Sequence, residues 1–202
     1  MVSIPQLPVD VTLHDGLEIT IRSLRRDEIR LYFDALRAAA AGGDGYGYDE
    51  LTSFDYFVKY YVDSFCNVVY EMRTSSSDDD RRIIAFSSVG PSQFTRDRNS
   101  ILADGNIVIL PEHRGKNLAR EIYPLHIGLL AAMDFRSLLG ETSINNIANM
   151  KASGAQGLVT TGSIPTAIYF KDVGWVDLIT GYLPVGKSSP FKEQIRNFPA
   201  KL

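Results

Sequence analysis

Cysteine is nearly absent from this chain, which has one, Cys66, among 202 residues. A single thiol excludes a disulfide within the chain, and the three histidines do not stand at a zinc-binding spacing from it. We therefore expect no metal site, and a reducing compartment, the cytoplasm, as the location. Cys66 lies among aromatic residues and is expected to be a small buried hydrophobe.

Long apolar runs are also missing. The longest apolar stretch, residues 127–133, is far shorter than the roughly 20 residues that a membrane-spanning helix requires. The N-terminal residues MVSIPQLPVDV contain two prolines and lack the basic start and apolar run of a secretion signal. The sequence therefore predicts a protein without a membrane partner.

There is no excess of basic residues, because 21 Lys and Arg face 24 Asp and Glu, for a formal net charge of −3. A duplex-binding protein needs a basic stripe that neutralises phosphates, so nucleic acid is not an expected partner. A composition of 45% hydrophobic and 22% charged residues is typical of globular proteins. We expect one domain over residues 1–202, with its core at about 17–183.

Hydrophobic periodicity predicts the elements of that domain. Alternating or continuous apolar runs predict strands at 17–22, 67–73, 82–88, 101–112, 137–144, 158–170 and 175–184. Helical spacing predicts helices at 26–41, 54–65, 118–133 and 145–156. Residues 1–15 are expected to form an extended lead-in, and Pro124 predicts a kink in the third helix. This order predicts a mixed α/β or α+β domain.

The segment IVILPEHRGKNLAR, residues 107–120, places a predicted strand, a short charged loop and a helix start in succession. The start of a helix presents unpaired backbone N–H groups and the positive end of the helix dipole, which together favour an anion. Gly115 allows an anion to approach the backbone, and the positive charge comes from Arg114, Lys116 and Arg120. The segment predicts a pyrophosphate site. The alternative is a solvated turn before a helix.

This segment resembles motif A of the GCN5-related N-acetyltransferases, in which a strand ending in Pro and an acidic residue leads into Arg-Gly-x-Gly-x-Gly/Ala. The matching positions are Arg114, Gly115, Lys116, Asn117, Leu118 and Ala119. Asn117 replaces the usual middle glycine, and asparagine tolerates a left-handed backbone better than most residues. The resemblance implies a mostly antiparallel sheet of six to seven strands flanked by about four helices, and acetyl-CoA as cosubstrate.

Residues 145–158 resemble motif B of the same family, with Asn146 in the Asn position and Gly157-Leu158 in the Gly-Phe position. A rival alignment on residues 167–175 would place Pro165 within a helix, and we reject it. In the favoured alignment, the tyrosine that many relatives use as general acid falls at Ser153. Tyr169 is then expected to be a strand residue.

The resemblance implies direct attack of an amine on the thioester carbonyl, with the backbone of Ile109 donating to the thioester oxygen. Asn146 is expected to hold the pantetheine arm, or alternatively to cap its helix. The amine must lose a proton, and Asn106 and Glu141 are the candidate catalytic residues, with Asp104 beside them. Each of the three has a structural role as its alternative.

In relatives, the segment between the first two helices forms part of the acceptor pocket, which here is GGDGYGYDE, residues 42–50. Tyr46 and Tyr48, with Asp44 and Glu50, are therefore candidates to bind a cationic amine. The alternative is a glycine loop with solvated charges. The predicted function is acetyl transfer to a small amine, with homodimerisation possible; the alternative is a non-catalytic CoA-binding sensor or scaffold.

Overall fold

The computed structural model describes residues 7–43, 53–63, 66–73, 81–92 and 101–185. Its strands are β1 Val9–Thr12, β2 Glu18–Ser23, β3 Cys66–Arg73, β4 Arg81–Pro91, β5 Leu102–Ile109, β6 Ser137–Ser143, β7 Val159–Phe170 and β8 Gly174–Pro184. Its α-helices are α1 Ile29–Ala41, α2 Phe54–Phe57, α3 Leu118–Ala132 and α4 Ile147–Ala155. Short 3₁₀ turns at Arg26–Glu28 and Pro111–His113 precede α1 and α3.

All eight of these strands join one sheet in the order β1-β2-β3-β4-β5-β6-β8-β7. Every neighbouring pair is antiparallel except β5 and β6, which are parallel. The prediction of a mixed, mostly antiparallel sheet with four helices is therefore confirmed. The sheet has one strand more than predicted, because β1 pairs with β2 at the edge within the expected lead-in.

Helices cover both faces of the sheet. On one face, α1 and α2 pack against β3, β4 and β5 around Tyr32, Phe57, Phe86 and Val108. On the other face, α3 packs Ile122, Leu125 and Leu129 against β2, β3 and β4. Since side chains alternate across a strand, successive residues of β5 contribute to opposite faces. Any opening in the sheet next to β5 is therefore flanked by helices on both sides.

The second predicted helix is correct in position and differs in form. Ser53 caps α2, with its hydroxyl accepting a hydrogen bond from the backbone N–H of Tyr56 at 3.0 Å. After one turn the chain continues as a π-helix, Val58–Val62. The third helix runs unbroken from Leu118 to Ala132 with Pro124 inside it, and the kink expected at that proline stays a prediction.

The sheet opens between β5 and β6. These two strands pair only at their beginnings, Leu102 with Ser137 and Ala103 with Leu138. Beyond that point β5 pairs with β4 as far as Ile109, while β6 pairs with β8 along all of Ser137–Ser143. Each strand is thus fixed on its outer side and has no strand partner across the gap.

A buried ion-pair network joins the 3₁₀ turn before α1 to the sheet. The guanidinium of Arg22 on β2 donates hydrogen bonds to Glu28, at 2.7 and 2.5 Å, and also to Glu71 on β3. Burial by itself raises the pKa of Glu28, but the hydrogen bonds from Arg22 and from the backbone of Arg25, together with the charges of both residues, outweigh it and lower the pKa below its usual 4.5. The network holds the start of α1 against the middle of the sheet.

We expect Glu28→Gln to lower the free energy of unfolding by about 1–3 kcal/mol at pH 7, because the amide keeps the shape of the side chain and loses its charge. Glu28 stabilises the fold when ionised, and this contribution is lost as the pH falls through its lowered pKa. Urea denaturation at several pH values should show the difference from wild type shrinking upon acidification.

The matched control is Asp34→Asn, because the Arg30–Asp34 pair is largely exposed, with side-chain exposures of 64% and 53%. This change is expected to cost less than about 0.5 kcal/mol. A deficit of Glu28→Gln that stays constant from neutral to acidic pH would contradict the assigned role of the carboxylate.

Candidate functional site

A cavity of about 760 Å³ lies at the opening between β5 and β6. Its volume is within the range of small-molecule binding sites. Its walls are the end of β5, the loop and first turns of α3, the end of β6, one face of α4, and Ala39 of α1. The lining residues that bear on function are Ile109, His113, Arg114, Gly115, Asn117, Leu118, Ala119, Arg120, Tyr123, Glu141, Asn146 and Lys151.

The loop from β5 to α3 has the backbone of an anion-binding turn. Gly115 and Asn117 are both left-handed, with φ of +74° and +62°. A Cβ placed on Gly115 would meet no atom within 4 Å, so the space above this residue is open. Asn117 is the residue before α3, and the helix therefore presents its first N–H groups and its positive dipole end to the cavity. The left-handed Asn117 agrees with the expectation from its sequence position.

The two cationic side chains of the loop, Arg114 and Lys116, make different contacts. The Nε of Arg114 donates to the carbonyl oxygen of Ile109 at 3.0 Å, which ties the loop to the end of β5 and leaves the other guanidinium donors for an anion. The Nζ of Lys116 donates to the carbonyl oxygen of Glu112 at 3.1 Å. Lys116 does not line the cavity, although it stays a predicted cofactor residue through its charge.

The backbone of Ile109 faces the gap. Leu110 donates its N–H to Ile84 of β4, at 3.0 Å, so the N–H and C=O groups of Leu110 and Val108 point toward β4. Peptide groups alternate in direction along a strand, and those of Ile109 therefore point the other way, toward β6. The contact between Arg114 and the Ile109 carbonyl lies on that same side. The Ile109 N–H is thus available at the cavity wall.

Charges in the cavity are segregated. The cationic or titratable nitrogen groups among its lining residues come from the α3 loop, the first turns of α3 and α4: His113, Arg114, Arg120 and Lys151. The acidic lining residue is Glu141 on β6. Glu141 is exposed as a whole residue, but partial burial of its carboxyl group, and then the charge of Asp104, raise its pKa above the ordinary value. A carboxyl group with a raised pKa is suited to accept a proton near neutral pH.

Asn106, the other predicted catalytic residue, is buried against α1. Its Oδ1 accepts a hydrogen bond from the hydroxyl of Tyr32 at 2.6 Å. Tyr32 is fully buried, so this bond satisfies two polar groups at the packed α1 face of the sheet. The contact gives Asn106 a structural role, and its catalytic role stays a prediction.

Asn146 caps α4. Its Oδ1 accepts a hydrogen bond from the backbone N–H of Asn149 at 3.0 Å, which is the capping alternative considered from the sequence. The residue also lines the cavity. Its predicted contact with the pantetheine arm stays a prediction.

Several predicted residues have other positions. Tyr46, Tyr48, Asp44 and Glu50 lie outside the described residues. Tyr169 lies on β7, exposed, which confirms that it is a strand residue. Among the described residues, no group of three or more His, Cys, Asp or Glu is arranged to hold a metal ion, and no helix there is long and apolar enough to cross a membrane.

Cys66 is half-buried, and burial raises the pKa of its thiol. It packs against two of the apolar clusters of the core, in agreement with the hydrophobic role expected for it. His14 lies outside the cavity, where its Nδ1 contacts a carboxylate oxygen of Glu121 at 2.8 Å.

Two residues of α3, Tyr123 and His126, were not predicted to have a role in the site. They lie one helical turn apart and line a second cavity of about 110 Å³ beneath the gap. Tyr123 lines both cavities, and Ser153 on α4 lines the smaller one with it. His126 packs against Gly105 so closely that a Cβ there would lie 2.9 Å from its Nε2. Tyr123 falls beside the apolar stripe of α3, which is why periodicity did not single it out.

Comparison with known protein families and with curated proteins finds no match to this chain. Solved structures do match. A GCN5-related N-acetyltransferase from Kribbella flavida has a TM-score of 0.69 and 15% identity, over 82% of this chain and 97% of that one. A phosphinothricin acetyltransferase of the same superfamily from Sinorhizobium meliloti, in complex with acetyl-CoA, has a TM-score of 0.65 and 17% identity, over 90% and 97%.

A spermidine N-acetyltransferase from Vibrio cholerae, in complex with CoA and spermine, gives a TM-score of 0.66 and 17% identity, over 83% of this chain and 95% of that one. At these identities the similarity concerns the fold. The chain has the fold of the GCN5-related N-acetyltransferase superfamily, as the two sequence motifs suggested.

We expect the left-handed backbone conformation of Asn117 to determine which residues this position tolerates. A β-branched residue is strained in the left-handed conformation by about 1–2 kcal/mol, whereas glycine is not. Asn117→Val should therefore lower the free energy of unfolding by about that amount, and Asn117→Gly should leave it unchanged or raise it. Thermal and urea denaturation of the two variants would measure this. Equal stabilities for valine and glycine would contradict the left-handed assignment.

Proposed function

We propose that this protein is an acetyl-CoA-dependent N-acetyltransferase that acts on a small amine-bearing acceptor. One observation carries the proposal: an anion-binding loop and helix start lie at one end of a cavity that continues into the gap between β5 and β6. A long ligand with a phosphate-bearing end and a reactive far end fits this arrangement. The solved structures of the same fold that contain CoA or acetyl-CoA support it.

The residues present fit the diphosphate of CoA. The left-handed Gly115 and Asn117 expose their backbone to the cavity, and the N–H groups of Leu118 and Ala119 stand at the start of α3. Arg114 and Arg120 add positive charge along the same wall. Asn146, Leu118 and the small residues of α4 would contact the apolar and amide parts of the pantetheine arm.

When bound, acetyl-CoA supplies an activated acetyl group as a thioester. The N–H of Ile109 points into the gap, where it would donate a hydrogen bond to the carbonyl oxygen. Such a donor stabilises the negative charge that develops on this oxygen during attack by the amine. Because β4 holds the other side of β5 along its length, the donor is fixed before the reaction begins.

Glu141 is our candidate for the group that removes the amine proton. It lies at the gap, at the wall opposite to the loop of α3, and its raised pKa brings it nearer to neutrality. An amine titrates near pH 10, so the proton must be taken up as the C–N bond forms. Asp104 shares this region and is the alternative base.

A CoA-binding sensor or scaffold without activity is the second candidate function. Asn106 is already engaged by Tyr32, and Ser153 donates its hydroxyl proton to the carbonyl oxygen of Asn149 at 2.8 Å. Neither is a ready proton carrier. A panel of small amines in a thiol-release assay separates the candidates, because the sensor binds CoA and releases no thiol with any amine.

Calorimetry should detect binding of CoA, and we expect Arg114→Glu to weaken it about tenfold or more, equivalent to roughly 1.4 kcal/mol. The physical reason is the loss of a charged donor and the introduction of a carboxylate beside a diphosphate. Binding should also weaken as ionic strength rises.

The matched control is Lys171→Glu, the same reversal of charge at an exposed position in the turn between β7 and β8. It is expected to leave CoA affinity within about twofold of wild type, because Lys171 is not among the residues that line either cavity. Failure of the wild-type chain to bind CoA would refute the proposed function.

Once an acceptor is found, Glu141→Gln is expected to lower kcat about 10²- to 10⁴-fold with little change in CoA affinity. The active base is the carboxylate, so wild-type activity should rise with pH through the raised pKa of Glu141, and this limb should vanish in the variant. The parallel variant Asp104→Asn tests the alternative base. Loss of the limb in Asp104→Asn alone would transfer the role to Asp104.

A further inference from the structure

The smaller cavity, of about 110 Å³, continues the larger one along the gap. On β5 the larger cavity is lined by residues 107–109 and the smaller one by residues 105–107, closer to the point where β5 and β6 pair. Five residues line both cavities: Ile107, Tyr123, Glu141, Thr142 and Asn149. A ligand that enters at the loop before α3 and follows β5 therefore passes from the larger cavity into the smaller one.

The proposed contact at Ile109 sets the direction of an acyl group. CoA arrives from the loop at the end of β5, so an acyl group whose carbonyl oxygen accepts from the Ile109 N–H points back along β5, toward Ile107. The two residues are about 6.6 Å apart, because a strand rises about 3.3 Å per residue. The methyl group of an acetyl donor therefore ends near the boundary between the cavities, and a longer chain continues into the smaller one.

The walls of the smaller cavity suit a hydrocarbon chain. Its aliphatic lining residues are Ile107, Leu138, Leu139, Met150, Leu158 and Ile179. Among the described residues, Glu141 is the one that brings a carboxylate to this lining, and it lies at the boundary with the larger cavity. An engineered apolar cavity of about 150 Å³ holds benzene, so this cavity has room for about four carbon atoms.

Several polar side chains of the smaller cavity are already paired or are buried in its walls. The Oδ1 of Asn106 accepts from the hydroxyl of Tyr32 at 2.6 Å, and the Ser153 hydroxyl donates to a carbonyl oxygen of α4 at 2.8 Å. The Oγ1 of Thr142 and the Nδ1 of His126 have no partner in the described part of the chain, and both atoms are buried rather than exposed to the cavity. A ligand there would therefore meet none of these four groups as an open hydrogen-bonding site.

Leu158 sets the size of this space. Gly140 on β6 and Gly181 on β8 are paired directly, and a Cβ on them would lie 2.5 Å and 2.7 Å, respectively, from a methyl group of Leu158. The two glycines thus let Leu158 lie against the sheet, where its side chain forms one wall of the cavity. A change in the size of residue 158 should therefore change the cavity volume.

We infer that the smaller cavity binds the hydrocarbon chain of an acyl-CoA, so that the protein accepts linear acyl donors of about four to six carbons as well as acetyl-CoA. This inference rests on the proposed function, because it uses the same CoA site. The bonds that change are the same: the amine nitrogen bonds to the acyl carbonyl carbon, and the C–S bond breaks with its electron pair left on sulfur. The amine proton passes to the proposed base, Glu141, and solvent returns a proton to the thiolate.

Calorimetry with CoA, acetyl-CoA, butyryl-CoA, hexanoyl-CoA and octanoyl-CoA tests this without knowledge of the acceptor. Each buried methylene strengthens binding about fourfold, so butyryl-CoA is expected to bind about fifteenfold more tightly than acetyl-CoA. The gain should end near hexanoyl-CoA, where the cavity is full. Octanoyl-CoA should then bind more weakly than hexanoyl-CoA, because a longer chain overpacks the space.

Two variants of Leu158 show whether the chain lies in this cavity, with each affinity expressed relative to that of CoA for the same variant. Leu158→Ala enlarges the cavity, and octanoyl-CoA should then bind at least as tightly as hexanoyl-CoA. Leu158→Phe narrows it, and butyryl-CoA should then bind within about twofold of acetyl-CoA. The matched control is Ile164→Ala, because Ile164 is exposed on β7 and lines neither cavity; it should keep the wild-type order of affinities.

Weaker binding of butyryl-CoA than of acetyl-CoA by wild type would overturn the inference and leave the proposed function intact. A gain that continues undiminished to octanoyl-CoA, or a series that both Leu158 variants leave unchanged, would also overturn it, because the chain would then lie elsewhere. Should one variant fail to fold, the wild-type series and the other variant still decide. If wild type binds neither CoA nor any acyl-CoA, the proposed function itself fails, and this inference fails with it.

Discussion

The parting of β5 and β6 is the constraint on which the rest of the structure depends. A strand edge that borders a cavity needs partners for its peptide N–H and C=O groups, from water, from the rest of the chain or from a ligand. Here two residue pairs join the strands and the remainder of both edges stands apart. A ligand in the gap could add hydrogen-bond partners along these edges. A molecule that lies along β5 and accepts from Ile109 would do so.

The two strands that border the gap are held by hydrogen bonds to their outer neighbours, β4 and β8. β5 is bonded to β4 from Ala103 to Ile109, and β6 is bonded to β8 from Ser137 to Ser143. Helices lie on both faces of the sheet, and α3 places Ile122 and Leu125 in the core as buried side chains. The site is therefore preorganised, and a ligand need not pay the entropy of ordering these strands.

Local patterns were sufficient for much of this fold. Strand alternation, helix spacing and the loop at Gly115 are short-range properties, and the sequence predicted seven strands, four helices and the left-handed tolerance of Asn117. Three features depend on contacts between distant residues and were not predictable. β1 has only two apolar positions and forms by pairing with β2. The opening of the sheet and the meeting of Tyr123 with Ser153 arise from tertiary packing, which periodicity does not encode.

In the proposed function, one cavity must meet two opposite electrostatic demands, and the direction of the pKa shift at Glu141 is compatible with both. A diphosphate requires positive charge, but the same charge next to a base would lower its pKa and weaken it as a proton acceptor. The pKa of Glu141 is raised, first by burial and then by Asp104. The cations near α3 therefore do not govern this carboxyl. In the proposed function, separation along the cavity would let the loop at Arg114 hold an anion while Glu141 keeps the basicity that deprotonation of an amine needs.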